Sequence, residues 1–138
     1  MARGTKGVWI LLLAGLGGCS RTASPPPVDT GSREAVRVYY EGIIRQDWQS
    51  VYAILHPDLH RRYTREQFVL LAQAYRKKIG FEPGALHIRS CEEHGAEAIA
   101  HVVLKSRTAS HKRRYSDGIV VRQSAGGWRI VLPNNFSR

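Results

Sequence analysis

From residue 33 onward the apolar positions of this chain follow two different periods. As far as residue 80 they recur every three or four places, the spacing of one face of an α-helix. Val36, Tyr40, Ile43 and Ile44 predict a helix over 33–46. Asp47 is a capping residue for a second, short helix over 48–55, with Val51, Tyr52 and Leu55 as its apolar side. His56-Pro57 ends that helix, because a residue before proline avoids helical angles. Thr64-Arg65-Glu66-Gln67 reads as a capping box opening a third helix. Phe68, Leu71, Ala72, Tyr75 and Ile79 repeat on one face of it, and Gly80 supplies a C-terminal cap.

After a turn at Glu82-Pro83-Gly84 the period drops to two. Strands are predicted over 86–92, 96–107, 113–123 and 128–132, with turn residues at His94-Gly95 and Ala125-Gly126-Gly127. Alternate residues of a strand share a face. Ala98, Ala100, Val102 and Leu104 make one face of the second strand apolar throughout, so that face should meet the helices and His101 should point away. The matching inward sets are Leu86, Ile88 and Ser90 on the first strand, and Trp128, Ile130 and Leu132 on the last. Helices followed by an antiparallel meander predict an α+β domain, its N-terminal helices packed on a sheet of about four strands.

The residues before this domain read differently. Arg3 and Lys6 precede the apolar run Val8 to Leu16, nine residues long and far short of the roughly 20 that span a membrane. It ends in Leu16-Gly17-Gly18-Cys19, which resembles the lipobox of bacterial lipoproteins. That resemblance implies cleavage after residue 18 and acylation of the Cys19 thiol. It also implies a lipid-anchored protein of the bacterial cell envelope; Ser20 after the cysteine is compatible with the outer membrane. Two or three acyl chains anchor stably where one would not. Residues 19–32 are rich in Ser, Thr, Pro and Gly and include Pro25-Pro26-Pro27, an extended spacer. The chain thus divides into a signal at 1–18, a tether at 19–32 and a domain at 33–138.

At this point the domain pattern resembles the nuclear transport factor 2-like superfamily, a cone in which a curved sheet wraps a long helix. The resemblance is carried by Asp47-Trp48-Gln49-Ser50-Val51-Tyr52 and by Gly126-Gly127-Trp128-Arg129-Ile130. It implies a pocket, either open to a small molecule or filled by side chains, on a fold that serves isomerases, dehydratases, ligand binders and interaction modules.

Charge changes the picture only modestly. The 138 residues carry a formal +10, which becomes +8 once Arg3 and Lys6 leave with the signal. The basic residues gather as Arg61-Arg62 with Arg65, as Arg76-Lys77-Lys78, and as Lys112-Arg113-Arg114. Outside the cytoplasm such clusters suit a solvated basic surface, or contact with anionic lipid, rather than nucleic acid. Candidate chemistry is sparse. Cys91 has no predicted partner and reads as a small buried hydrophobe. His56 and His60 are four apart, but Pro57 between them opposes a helix across the pair, and neither a metal site nor a cofactor is expected.

On the third strand, Ile119 and Val121 set an inward parity that includes Tyr115 and Asp117. Asp117-Gly118 reads first as a bulge or a solvated turn. If the parity holds, Asp117 and Tyr115 instead form an acid–base pair on the concave face. The pocket candidates are therefore Tyr40, Tyr115, Asp117 and Trp128. The expected role is non-enzymatic, the binding of an apolar small molecule or of an envelope partner. The alternative is an isomerase- or dehydratase-like enzyme using Asp117 and Tyr115. Outward Ile99 and Val103 would also permit a homodimer through the sheet.

Overall fold

A computed structural model describes residues 28–108, 110, 112–133 and 136. The predicted signal, Cys19 and most of the tether lie outside the described residues. Four helices lead into four strands: α1 (Ser32–Arg45), α2 (Trp48–Ala53), α3 (Pro57–Arg62), α4 (Arg65–Lys78), β1 (Pro83–His94), β2 (Glu97–Ser106), β3 (Arg114–Ser124) and β4 (Gly127–Val131). The sheet is an antiparallel meander in the order β1-β2-β3-β4. No helix among the described residues is long and apolar enough to cross a membrane.

Local chemistry accounts for the helix ends. Asp47 caps α2 by accepting from the Ser50 N–H at 3.2 Å. The capping box of α4 is complete: Thr64 Oγ1 accepts from Gln67 N, and Gln67 Oε1 accepts from Thr64 N. Gly80, with φ 78°, turns the chain out of α4. The expected helix over 48–55 stops two residues early, because Leu55 bridges to Ile130 of β4. The expectation that Pro57 opposes a helix across His56 and His60 is corrected. His56 caps the short helix α3 with its ring Nδ1, and Pro57 occupies the first turn, where its missing N–H costs nothing.

Two glycine and bulge features set the packing. Gly42 of α1 lies against Val51 of α2, and a Cβ there would overlap Val51 Cγ2. Gly42→Ala should therefore lower stability by about 1–2 kcal/mol in urea unfolding, although alanine is the better helix former. An unchanged midpoint would show that the two helices separate freely. The second feature is a register shift in β1 between Ile88 and Ser90. Before it, Leu86 and Ile88 face the core opposite Leu104 and Val102; after it, Cys91 and Glu93 take that face opposite Ala100 and Ala98. Ser90 pairs with His101 on the outer face, so its predicted inward placement is wrong by the one residue the bulge inserts. β1 also begins earlier than expected, since Pro83 already pairs with Ser106 and the 82–84 turn is partly strand.

The core lies between the inner face of the sheet and α1, α2 and α4. Val36, Tyr39, Tyr40 and Ile43 of α1 pack with Ala98, Ala100, Val102, Leu104, Val121 and Ile130, all of them buried. Arg76 of α4 closes the C-terminal end of α1: Nε donates to the Ile43 carbonyl at 3.2 Å and Nη2 to that of Ile44 at 3.3 Å, while the guanidinium pairs with Glu82. This cation adds hydrogen bonds to the Ile43 and Ile44 carbonyls at the negative end of the helix, the first of which also accepts the Gln46 N–H.

The opposite end of α1 is held by Glu93. Its carboxylate accepts from the Thr30 N–H at 2.8 Å, Thr30 Oγ1 at 2.9 Å and Ser32 Oγ at 2.6 Å. Partial desolvation opposes the charge, but the donors from Ser32 and Thr30 outweigh it and bring the Glu93 carboxyl below its ordinary value of 4.5. A lowered folded-state value stabilises the fold above the unfolded value and loses that contribution as pH falls through the folded one. Stability should accordingly drop as the pH is lowered through and below the ordinary carboxylate range. Glu93→Gln should flatten that part of the profile, and an identical profile for the variant would remove Glu93 as its source.

Candidate functional site

Asp117 stands in the middle of β3, with no register shift on either side: Val102 faces it on β2, and Leu104 and Ala100 face its inward neighbours Tyr115 and Ile119. The reading of Asp117-Gly118 as a bulge or a solvated turn is thereby corrected. The inward parity carries the carboxylate to the concave side of the sheet, where two helices supply hydroxyls. Tyr40 of α1 donates to Oδ2 at 2.8 Å and Tyr75 of α4 donates to the same oxygen at 2.6 Å. Oδ1 accepts from the Gly118 backbone N–H at 2.9 Å. Three chain segments, far apart in sequence, thus converge on one carboxylate.

Around it lies a cavity of about 320 Å³, walled by Tyr39, Tyr75, Tyr115, Asp117, Ile119, Pro133 and Phe136, with Lys78 also lining it. The volume falls at the lower end of the range for small-molecule sites. Its aromatic wall is continuous: Tyr75 packs edge-on to Tyr115 with ring centres 6.2 Å apart and stacks on Phe136 at 5.2 Å. Burial, reinforced by the Asp117 charge, raises the hydroxyls of Tyr39 and Tyr75 far above their usual range. Tyr40 is raised by burial and by its neighbours Tyr75 and Asp117. These phenols therefore remain protonated donors. Tyr115 is half-buried and shifts upward for the same two reasons, desolvation and the Asp117 charge.

Of the four pocket candidates, the structure brings three together. Tyr115 and Asp117 line the cavity, and Tyr40 supports the carboxylate from behind it. Trp128 sits elsewhere: its Nε1 donates to Thr30 Oγ1 at 2.9 Å, at the start of α1. Tyr75, Lys78, Tyr39 and Phe136 were not anticipated as site residues. A usable signal existed for Tyr75, since a tyrosine at a core position of a helix must find an acceptor for its hydroxyl.

The remaining candidates resolve into structural partners. Cys91 is half-buried 3.3 Å from Ser32 Oγ, and desolvation raises its thiol, so it is held in the unreactive form. His60 donates through Nε2 to the Tyr52 carbonyl at 2.6 Å and stacks on that ring, while His56 Nδ1 is taken up by the cap of α3. No group of three or more metal-ligating side chains occurs among the described residues. His101 lies on the outer face, in a shallow, open depression with Arg89, Ser90 and Ser116. The concave cavity is the better candidate, because there hydroxyls from two helices converge on a strand carboxylate that also lines an aromatic-walled space.

The basic clusters are regrouped by the fold. Arg76 is consumed in closing α1, and Arg61 pairs with Asp58. Arg113 donates to the Gly80 carbonyl at 2.8 Å, which ties the strand end before β3 to the residue that follows α4. This end of the domain is opposite the one where the chain enters, since Thr30 bonds to Glu93 near the β1–β2 turn.

Comparison with solved structures agrees on the architecture. The chain is similar to a protein from Campylobacter jejuni provisionally described as an NTF2-like transpeptidase, with a TM-score of 0.56 and 11% identity, over 73% of this chain and 98% of that one. A SEC-C motif containing protein from Rhodopseudomonas palustris aligns at a TM-score of 0.53 with 13% identity, over 71% of this chain and 73% of the other. A protein from Streptomyces avermitilis, provisionally described as a dehydratase of the NTF2-like family, aligns at 0.44 with 10% identity over 71% and 87%, too low to add to the argument. No protein-family model matches the chain, and no curated protein matches it in sequence. The domain therefore has the NTF2-like α+β fold, as its sequence pattern suggested.

Proposed function

We propose that this domain binds a small, largely apolar molecule in the concave cavity, with Asp117 as its polar anchor. The observation that carries the proposal is the convergence of Tyr40 and Tyr75 on one carboxylate that itself lines an aromatic-walled space. The carboxylate satisfies two buried hydroxyls and, being only partly buried, still borders the open space with its other oxygen, where it can meet a ligand. In this reading the acylated Cys19 displays the binding domain at the cell envelope, and the tether spaces it from the membrane.

Binding is preferred over catalysis on geometric grounds. Tyr40 and Tyr75 fix Asp117 through Oδ2 and leave acceptor capacity on Oδ1, an arrangement that anchors a ligand's donor, with no second carboxylate and no imidazole among the described lining residues to relay a proton. The transpeptidase description of the Campylobacter neighbour finds no counterpart in this cavity either. Among the described lining residues there is no Ser, Thr or Cys to act as an acyl acceptor.

Native mass spectrometry of the purified protein tests the proposal. An added mass released on denaturation is expected, together with saturable binding of an environment-sensitive apolar dye. A clean unliganded mass combined with no dye binding would overturn it. Envelope anchoring is tested separately by fatty-acid labelling, which Cys19→Ala should abolish.

A further inference from the structure

We infer that the molecule bound in this cavity carries a cationic nitrogen, seated between the Asp117 carboxylate and the aromatic wall. The inference rests on the cavity being a binding site and names the chemistry it selects. The Asp117 carboxylate has hydrogen-bond donors but no ion pair with any Lys, Arg or His among the described residues. Hydroxyl dipoles orient and solvate a carboxylate without neutralising its charge. The half-buried site thus keeps an uncompensated negative charge in a medium that screens poorly.

The wall adds attraction of the same sign. Tyr39, Tyr75, Tyr115 and Phe136 line the cavity, and an ammonium group placed over the face of such a ring is attracted to it. Rings and a carboxylate enclosing one space form a cage that favours ammonium groups over neutral ligands of equal size. Oδ1, which accepts only from the Gly118 N–H, has a lone pair left for an N–H donor. An anionic ligand is disfavoured by the same charge. Lys78 also lines the cavity, but its exposed side chain leaves its ammonium to solvent screening.

The test compares 2-phenylethylammonium with 2-phenylethanol by titration calorimetry on the full-length chain at neutral pH and low salt. The two probes match in size and both donate a hydrogen bond, so charge is the difference between them. The ammonium should bind about tenfold more tightly, and added salt should narrow the gap. Asp117→Asn should reduce the preference to about twofold or less. Lys78→Ala, a surface change that leaves the carboxylate network intact, should strengthen the ammonium and not the alcohol. Equal affinity for the two probes, or an unchanged preference in both variants, would overturn the cation inference while leaving the cavity a binding site. Failure of both probes to bind at millimolar concentration, with no dye binding, would overturn both.

Discussion

Phe68→Ala should cost about 3–5 kcal/mol of folding stability, the most of any substitution considered for this domain. Phe68 is fully buried, and its ring is 5.8 Å from that of Tyr52 and parallel to that of Phe136 at 6.1 Å. Removing it takes a whole aromatic volume from a close-packed region where helices α2 and α4 meet the C-terminal segment. For a domain of this size the melting temperature should fall by at least about 12 °C. Because Phe136 also stacks on Tyr75 and lines the cavity, the loss should reach the binding site as weaker dye or ligand binding. Phe68→Leu keeps most of the volume and should cost less than half as much. Equal losses for the two variants would show that the ring contacts, and not the volume filled, supply the stability.

Asp117→Ala should cost about 2–3 kcal/mol in urea unfolding. The carboxylate itself is only partly buried, so the cost comes from its partners. Tyr40 is fully buried and Tyr75 nearly so, and both hydroxyls lose their acceptor. Asp117→Asn keeps an acceptor oxygen and should cost about 1 kcal/mol, which also makes it the better variant for binding experiments. The coupling can be read directly: Tyr40→Phe should cost about 1 kcal/mol in the native background and close to nothing once Asp117 is alanine. Additive losses would mean that Tyr40 and Asp117 do not share the bond the structure shows.

Both predictions depend on contacts across the chain, which local sequence does not encode. The helix caps were legible because they are local. Asp47 meets Ser50 three residues on, and Thr64 meets Gln67 at the same spacing. The sheet order was legible because short turns force neighbouring strands to pair. Parity placed Tyr115 and Asp117 on the concave face, since side chains alternate along any strand. The same rule misplaced Ser90, because a single bulged residue in β1 reverses parity beyond it, and no residue pattern near Arg89 announces the bulge. It also ranked Trp128 with the site, since parity says which face a residue takes and not where along that face it lies. The helix at 57–62 was overlooked because Pro57 was read as a terminator, although proline is equally at home in a first turn.

What the sequence determined by itself is the α+β class, the helix boundaries near their caps, the meander and the inward apolar rows, all consequences of short-range periodicity. The leader, Cys19 and the tether belong to the same kind of reading and stand as expectations from local pattern. Only the tertiary structure decided that Tyr40, Tyr75 and Asp117 meet, and that Arg76 closes α1 instead of adding to a basic surface. It also decided that the rings of Tyr75, Tyr115 and Phe136 enclose a space beside a carboxylate. Those facts depend on how α1 and α4 dock on the sheet. Docking is set by the summed packing of the whole core, for which no window of neighbouring residues carries the information.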